Sequence, residues 1–197
     1  MSPAFTMDPE KKREALRRRI ARACAVNFKG SVPVFGEGPV PCRLMVIGEA
    51  PGRDETRLGR PFVGKGGSFF VGVLEEALGL GRDEVYITNV LNIWPNVETK
   101  RRRTRPPERD EAAFFVPFLL EEIGIVDPAV IITAGKTAFL ALFPGRPFMP
   151  GEWAEYEGRA VMPVYHPSYL LRRQKRLKES VAELKGSLES VREKLGS

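Results

Sequence analysis

The stretch Arg43-Leu44-Met45-Val46-Ile47-Gly48-Glu49-Ala50-Pro51-Gly52 decides the fold. Arg43 to Ile47, mostly apolar and partly branched, read as a buried strand. The glycine-rich run Gly59-Arg60-Pro61-Phe62-Val63-Gly64-Lys65-Gly66-Gly67 follows, and then Ser68 to Leu78 carry apolar residues at helical spacing. A strand, a long Gly/Pro loop and a helix place Glu49 just past the carboxyl end of the strand, where open α/β sheets bind ligands. The active site is expected there. Gly59 to Lys65 has the glycine, four residues, glycine, lysine spacing of a phosphate-binding loop, but Gly66 stands where a Ser or Thr would hold magnesium. The run also begins twelve residues beyond the strand rather than leading straight from it. Nucleotide hydrolysis is therefore set aside.

The chain outward from this point reads as one α/β domain. At 197 residues it is long enough for a sizeable core, and residues 8–197 are expected to form a single domain behind a disordered leader, residues 1–7. Asp8-Pro9-Glu10 is a helix start, and Leu16, Ile20 and Cys24 repeat at helical spacing opposite a basic face. Further strands are expected at Glu84–Val90, Ala129–Thr133 and Ala160–Tyr165, with Trp153–Gly158 a turn into the last of them. Helices are expected at Glu108–Ile123, Gly135–Phe143 and Arg172–Leu195. This predicts a three-layer α/β/α fold around a mostly parallel four-stranded sheet.

Composition narrows the function. A net charge of +6 favours a polyanionic partner such as nucleic acid, although many Arg, Glu and Pro with a single Gln also describe a thermophile-like surface. The longest apolar stretch, Ala112 to Leu120, is too short to span a bilayer and contains Pro117, so no membrane partner is expected. Cys24 and Cys42 make no disulfide framework, which points to a reducing, cytoplasmic setting. One histidine and two cysteines do not suit a zinc site. Nothing demands more than a monomer.

Gly48-Glu49-Ala50-Pro51-Gly52, Gly59-Arg60-Pro61-Phe62-Val63-Gly64, Asn89 and His166-Pro167-Ser168-Tyr169-Leu170-Leu171-Arg172 together resemble the uracil-DNA glycosylase superfamily, and family 4 in particular. The resemblance runs from about Cys24 to Arg172, with four motifs in order. It implies excision of uracil from DNA, single- or double-stranded, by hydrolysis of the N-glycosidic bond after base flipping, leaving an abasic site. Asn89 then reads the base: an amide offers an acceptor and a donor side by side, complementary to uracil N3–H and O4. Phe62 stacks on the flipped base, and Gly48 and Ala50 belong to its pocket. His166 donates to uracil O2, and Glu49 positions water or balances the cationic sugar. Ser168, Tyr169, Leu170 and Leu171 fall where the family meets DNA and wedges the gap, with Arg172 on a phosphate.

Lys100-Arg101-Arg102-Arg103-Thr104-Arg105 places five cations in six residues, a segment that cannot pack a core and suits phosphates. It is similar to the basic insertion of the UdgX branch, which traps uracil-DNA covalently through a histidine; here Thr104 stands at that position, so release of free uracil is expected. Family 4 members hold a four-iron cluster on four cysteines. Only Cys24 falls on such a position, the others aligning with Ala21, Ile93 and Phe115, so no iron–sulfur cluster and no other cofactor is expected. Two alternatives stay open: a non-catalytic module binding uracil-containing or abasic DNA, and a glycosylase of the same fold for another modified base. The missing cluster and Ala50, where other branches carry an Asp, keep the first open.

Overall fold

Four strands carry the expected sheet. The computed structural model describes residues 7–97, 103–172 and 176–196. Strands β1 (Leu44–Gly48), β2 (Tyr86–Asn89), β5 (Val130–Ala134) and β7 (Arg159–Val164) pair in parallel in the order β2-β1-β5-β7. β1 and β5 are buried at every residue, the pattern of parallel strands covered on both faces. Met45, Ile47, Tyr86, Ile131 and Val161 face one layer, with α1 (Pro9–Asn27), α4 (Arg109–Val126) and α5 (Lys136–Leu142). Leu44, Val46, Ile87, Ile132 and Met162 face the other, with α3 (Lys65–Leu78), α6 (Pro167–Arg172) and α7 (Leu177–Gly196). The period-two alternation of the strands thus supplies both cores. α1 starts as its sequence dictates, with Asp8 as N-cap and Pro9 in the first turn.

Four features depart from the sequence reading. The sheet has a fifth strand: β6 (Ala154–Tyr156) lies antiparallel on β7, so the segment read as a plain turn is a hairpin closed by Glu157 and Gly158. Both turn residues have positive φ, 49° and 78°, as a two-residue hairpin of primed type requires. Three half-exposed residues give too little alternation to announce a strand. A short helix, α2 (Arg53–Leu58), fills what read as loop, and a helix α6 (Pro167–Arg172) stands ahead of the expected last helix, which is observed as α7 (Leu177–Gly196). A second, two-stranded sheet pairs β3 (Asn96–Val97) with β4 (Arg103–Thr104) antiparallel. Residues 1–6 of the expected leader and Lys100, Arg101 and Arg102 of the basic segment lie outside the described residues. Among the described residues no helix is long and apolar enough to cross a membrane.

Topology positions the site. From β1 the chain moves outward to β2, then returns across β1 to β5 on its other side. The carboxyl ends of β1 and β5 therefore diverge at a topological switch point, where crevices form in open sheets.

Candidate active site

At the carboxyl edge of the sheet lies a cleft of about 600 Å³, lined by Glu49, Ala50, Phe62, Asn89, His166, Ser168 and Arg172 among others. Three strand ends deliver its chemistry. β1 ends at Gly48 and hands on Glu49, β2 ends at Asn89, and β7 runs into His166 two residues after Val164. The loop after β1 stays tied to the chain after β2, since Val90 N–H donates to Gly48 C=O and Leu91 N–H to Glu49 C=O, at 2.9 and 3.0 Å.

Asn89 is 6% exposed, yet its amide finds no hydrogen-bond partner among the described residues. The amide lines the cleft, so its acceptor and its donors are open to a ligand there. Gly48 makes room for it. A Cβ there would collide with Asn89 Oδ1 and stand 2.6 to 2.7 Å from the Phe62 ring. The amide and the aromatic face are thus packed against one glycine.

His166 Nδ1 accepts the Ser168 backbone N–H at 3.2 Å and meets the Ser168 hydroxyl at 2.8 Å. A ring nitrogen that accepts an N–H carries no proton, so Nε2 carries it and is a donor. No described residue takes that proton by a hydrogen bond. Burial pushes the imidazole below its ordinary value; Glu49 opposes this and Arg172 adds to it. The ring is therefore neutral at pH 7 and presents one N–H to the cleft. Gly135, at φ 105°, lets the β5 end approach closely: a Cβ there would stand 3.0 Å from His166 Cβ.

Glu49 is held by a residue the sequence did not announce. Thr137 Oγ1, in the first turn of α5, donates to Glu49 Oε2 at 2.5 Å. That leaves Oε1 for another partner. Glu55 is a second missed residue: its carboxylate takes Gly52 N–H at 3.0 Å and Gly64 N–H at 2.6 Å, tying the loop after β1 to the glycine-rich run before α3. Glu55→Gln turns one accepting oxygen into a donor opposite an N–H. We expect it to destabilise the fold by about 1–3 kcal/mol, read by urea denaturation.

The expected DNA-facing residues divide. Arg172 and Ser168 line the cleft, the latter with its hydroxyl on His166. Tyr169 is 38% exposed and stacks on Tyr165, with ring centroids 5.1 Å apart. Leu171 is half-buried. Leu170 is not at the surface: it is 1% exposed within the core that α3 and α7 share, because the turn of α6 points it inward. Arg103 is exposed. Arg105, by contrast, is bound bidentately to Glu111 at 2.6 and 2.7 Å, and Glu111 also caps Glu108 N–H at the start of α4. Its guanidinium anchors the segment through that pair, and Arg105 also lines the cleft. Thr104 reaches the cleft wall and accepts from Trp94 Nε1 at 2.9 Å. Arg53 and Lys65 also line the cleft and were not foreseen.

Residues 35–187 match the family model of the uracil DNA glycosylase superfamily. The chain is 36% identical to a type-4 uracil-DNA glycosylase of Thermotoga maritima, over 76% of its own length and 77% of that protein's. It is 34% identical to the type-4 uracil-DNA glycosylase of Sulfurisphaera tokodaii, over 70% and 65%. With that of Saccharolobus solfataricus it shares 33% identity over 82% and 78%.

Proposed function

The chain belongs to the uracil DNA glycosylase superfamily, and we propose that it excises uracil from DNA by hydrolysing the N-glycosidic bond of a flipped nucleotide. The observation that carries the reading is the placement in one cleft of two polar groups that no described residue engages, the Asn89 amide and His166 Nε2–H, beside an aromatic ring. The amide takes uracil N3–H and donates to O4, the Phe62 ring stacks on the base, and Nε2–H meets O2. As the C1′–N1 bond breaks, its electron pair passes to uracil, and the growing charge on O2 is stabilised by that neutral donor. The sugar gains oxocarbenium character, which the Glu49 carboxylate offsets across the cleft. Oε1, left free by Thr137, holds the water whose oxygen joins C1′; its surplus proton leaves through the carboxylate to solvent. Tyr169 and Arg172 flank the path of the strand, Tyr169 filling the gap and Arg172 meeting a phosphate. Single strands need no unpairing and are the easier substrate.

We expect no iron–sulfur cluster to take part. The four positions that the family uses are Ala21, Cys24, Ile93 and Phe115, and they do not fit the group. Cys24, Ile93 and Phe115 are buried in one apolar core, with Phe115 stacked on Phe28 at 5.3 Å. Burial pushes the Cys24 thiol up to about 11, away from the thiolate a metal needs. Protein purified anaerobically is expected to be colourless, with no visible absorption band and no iron by elemental analysis.

The test is an excision assay on single-stranded and duplex oligonucleotides carrying one uracil, resolved after alkali on a denaturing gel. A cleaved band without a heat-stable protein–DNA species is the expected result. Uracil-dependent retardation without cleavage would sink the enzymatic reading in favour of a binding module.

A further inference from the structure

Phe62 has φ of 55°, in the left-handed region that a bulky residue adopts only where its surroundings impose it. Here they do. Arg82, twenty positions along the chain in the turn before β2, donates from Nη2 to Pro61 C=O and from Nη1 to Phe62 C=O, the latter at 3.3 Å. One guanidinium therefore grips the carbonyls on both sides of the strained residue. Arg82 is itself seated: Nε and Nη2 meet Glu37 Oε1 at 2.8 and 2.5 Å. Arg60 holds the same carboxylate from the other side at 2.9 and 3.0 Å. Burial would raise the Glu37 carboxyl, but the two guanidinium groups outweigh it and hold it below the usual carboxylate range.

Glu37 has a fixed backbone as well. It exchanges both hydrogen bonds with Ile87, Glu37 N–H to Ile87 C=O at 2.9 Å and the return at 2.8 Å, in an antiparallel bridge on the edge of β2. Gly67 completes the seat, since a Cβ there would stand 2.9 Å from Phe62 Cβ and closer still to its Cα. The consequence is geometric. Asn89 is the last residue of β2, and Phe62 is registered to the same strand through Glu37 and Arg82. The amide that reads the base edge and the ring that takes the base face share one rigid reference. Mutual placement within about half an ångström is what such a site requires.

We infer that Arg82, seated on Glu37, is a positioning residue for base recognition: it holds Phe62 in its left-handed conformation so that the ring faces the base Asn89 reads. The inference rests on the stacking role of Phe62 proposed above. An Arg82 that merely braced the fold would lower stability without acting through that ring.

The test is a double-mutant cycle on steady-state excision of uracil from a single-stranded oligonucleotide, with Phe62→Ala, Arg82→Met and the pair. Each single variant is expected to lose about tenfold in kcat/KM, mostly through KM, the size of one lost base–aromatic stack. The double variant is expected to be no worse than Phe62→Ala alone, because a clamp has nothing to hold once the ring is gone. Arg82→Lys, a single point donor, restores part of the loss. Losses that multiply in the double variant, or an unimpaired Arg82→Met, overturn the inference while leaving the stacking role standing. An unimpaired Phe62→Ala overturns both. Should Arg82→Met fail to fold, Glu37→Gln runs the same cycle with the guanidinium still present: a loss absorbed by Phe62→Ala supports the clamp, and no loss or a multiplying one overturns it.

Discussion

Replacing His166 by Ala slows excision about 10²- to 10³-fold, the cost of deleting one donor aimed at a developing oxyanion. Affinity for uracil-containing DNA is expected to change little, because the ground-state carbonyl gains far less from that donor than the departing anion does. The ring's environment adds a pH signature. Ser168 N–H on Nδ1 fixes the proton on Nε2, and burial depresses the imidazole below its ordinary value near 6.5. The neutral donor consequently persists below pH 6.5, and the acid limb of the rate profile should lie below that of an ordinary histidine. Stability follows the opposite sense to a salt-bridged histidine. With the folded value below the unfolded one, the unfolded chain takes up the proton first, so His166 costs stability as pH falls through that window. Single-turnover rates of wild type and variant between pH 5 and 8 check the first statement, and urea denaturation over the same range checks the second. Undiminished excision by His166→Ala would remove the histidine from the mechanism, and an inflection at or above 6.5 would refute the neutral ring.

Much of this site was legible because its parts occupy places that topology makes special. A branched apolar run ending in Gly48-Glu49 announces the carboxyl end of a buried strand, and the same logic places Asn89 and His166 at the ends of β2 and β7. What stayed hidden depends on contacts between segments far apart in the chain. Thr137 reads as one more residue of a short apolar helix, yet it lies 88 positions from the Glu49 it binds. Arg82 and Glu37 read as surface charges in loops, and only the fold brings them together under Phe62. The same blindness hides the surroundings of Arg105 and Leu170. A cation in a basic run looks free until its partner Glu111 is known, and a residue in a DNA-facing motif looks exposed until the helix turn is laid on the core. β6 escaped because three residues hold too few alternations to distinguish a strand from a turn.

Gly48→Ala should be nearly as damaging as the histidine change, for a reason confined to sterics. Gly48 has no left-handed backbone to protect, so alanine is compatible with its conformation; what the position lacks is room. The new methyl would overlap Asn89 Oδ1 and press on the Phe62 ring at 2.6 to 2.7 Å, well inside van der Waals contact. Asn89 Oδ1 is the end of a side chain that lines the open cleft, so it yields first, while Phe62 is held by Arg82 and Gly67. The fold then loses little, at the low end of the roughly 1–3 kcal/mol that overpacking costs. The base site loses its geometry, and a displacement of about 1 Å in a reacting constellation costs on the order of a hundredfold in rate. A steep fall in kcat/KM for uracil-DNA with a nearly unchanged melting transition is the expected pair of results. Gly72→Ala is the control: it lies within α3 with nothing within 4 Å of the added methyl, and a helical Gly→Ala change of this kind stabilises by up to about 1 kcal/mol. A Gly48→Ala enzyme with full activity would mean that the base does not rest between Asn89 and Phe62, and the assignment of both residues would fall together.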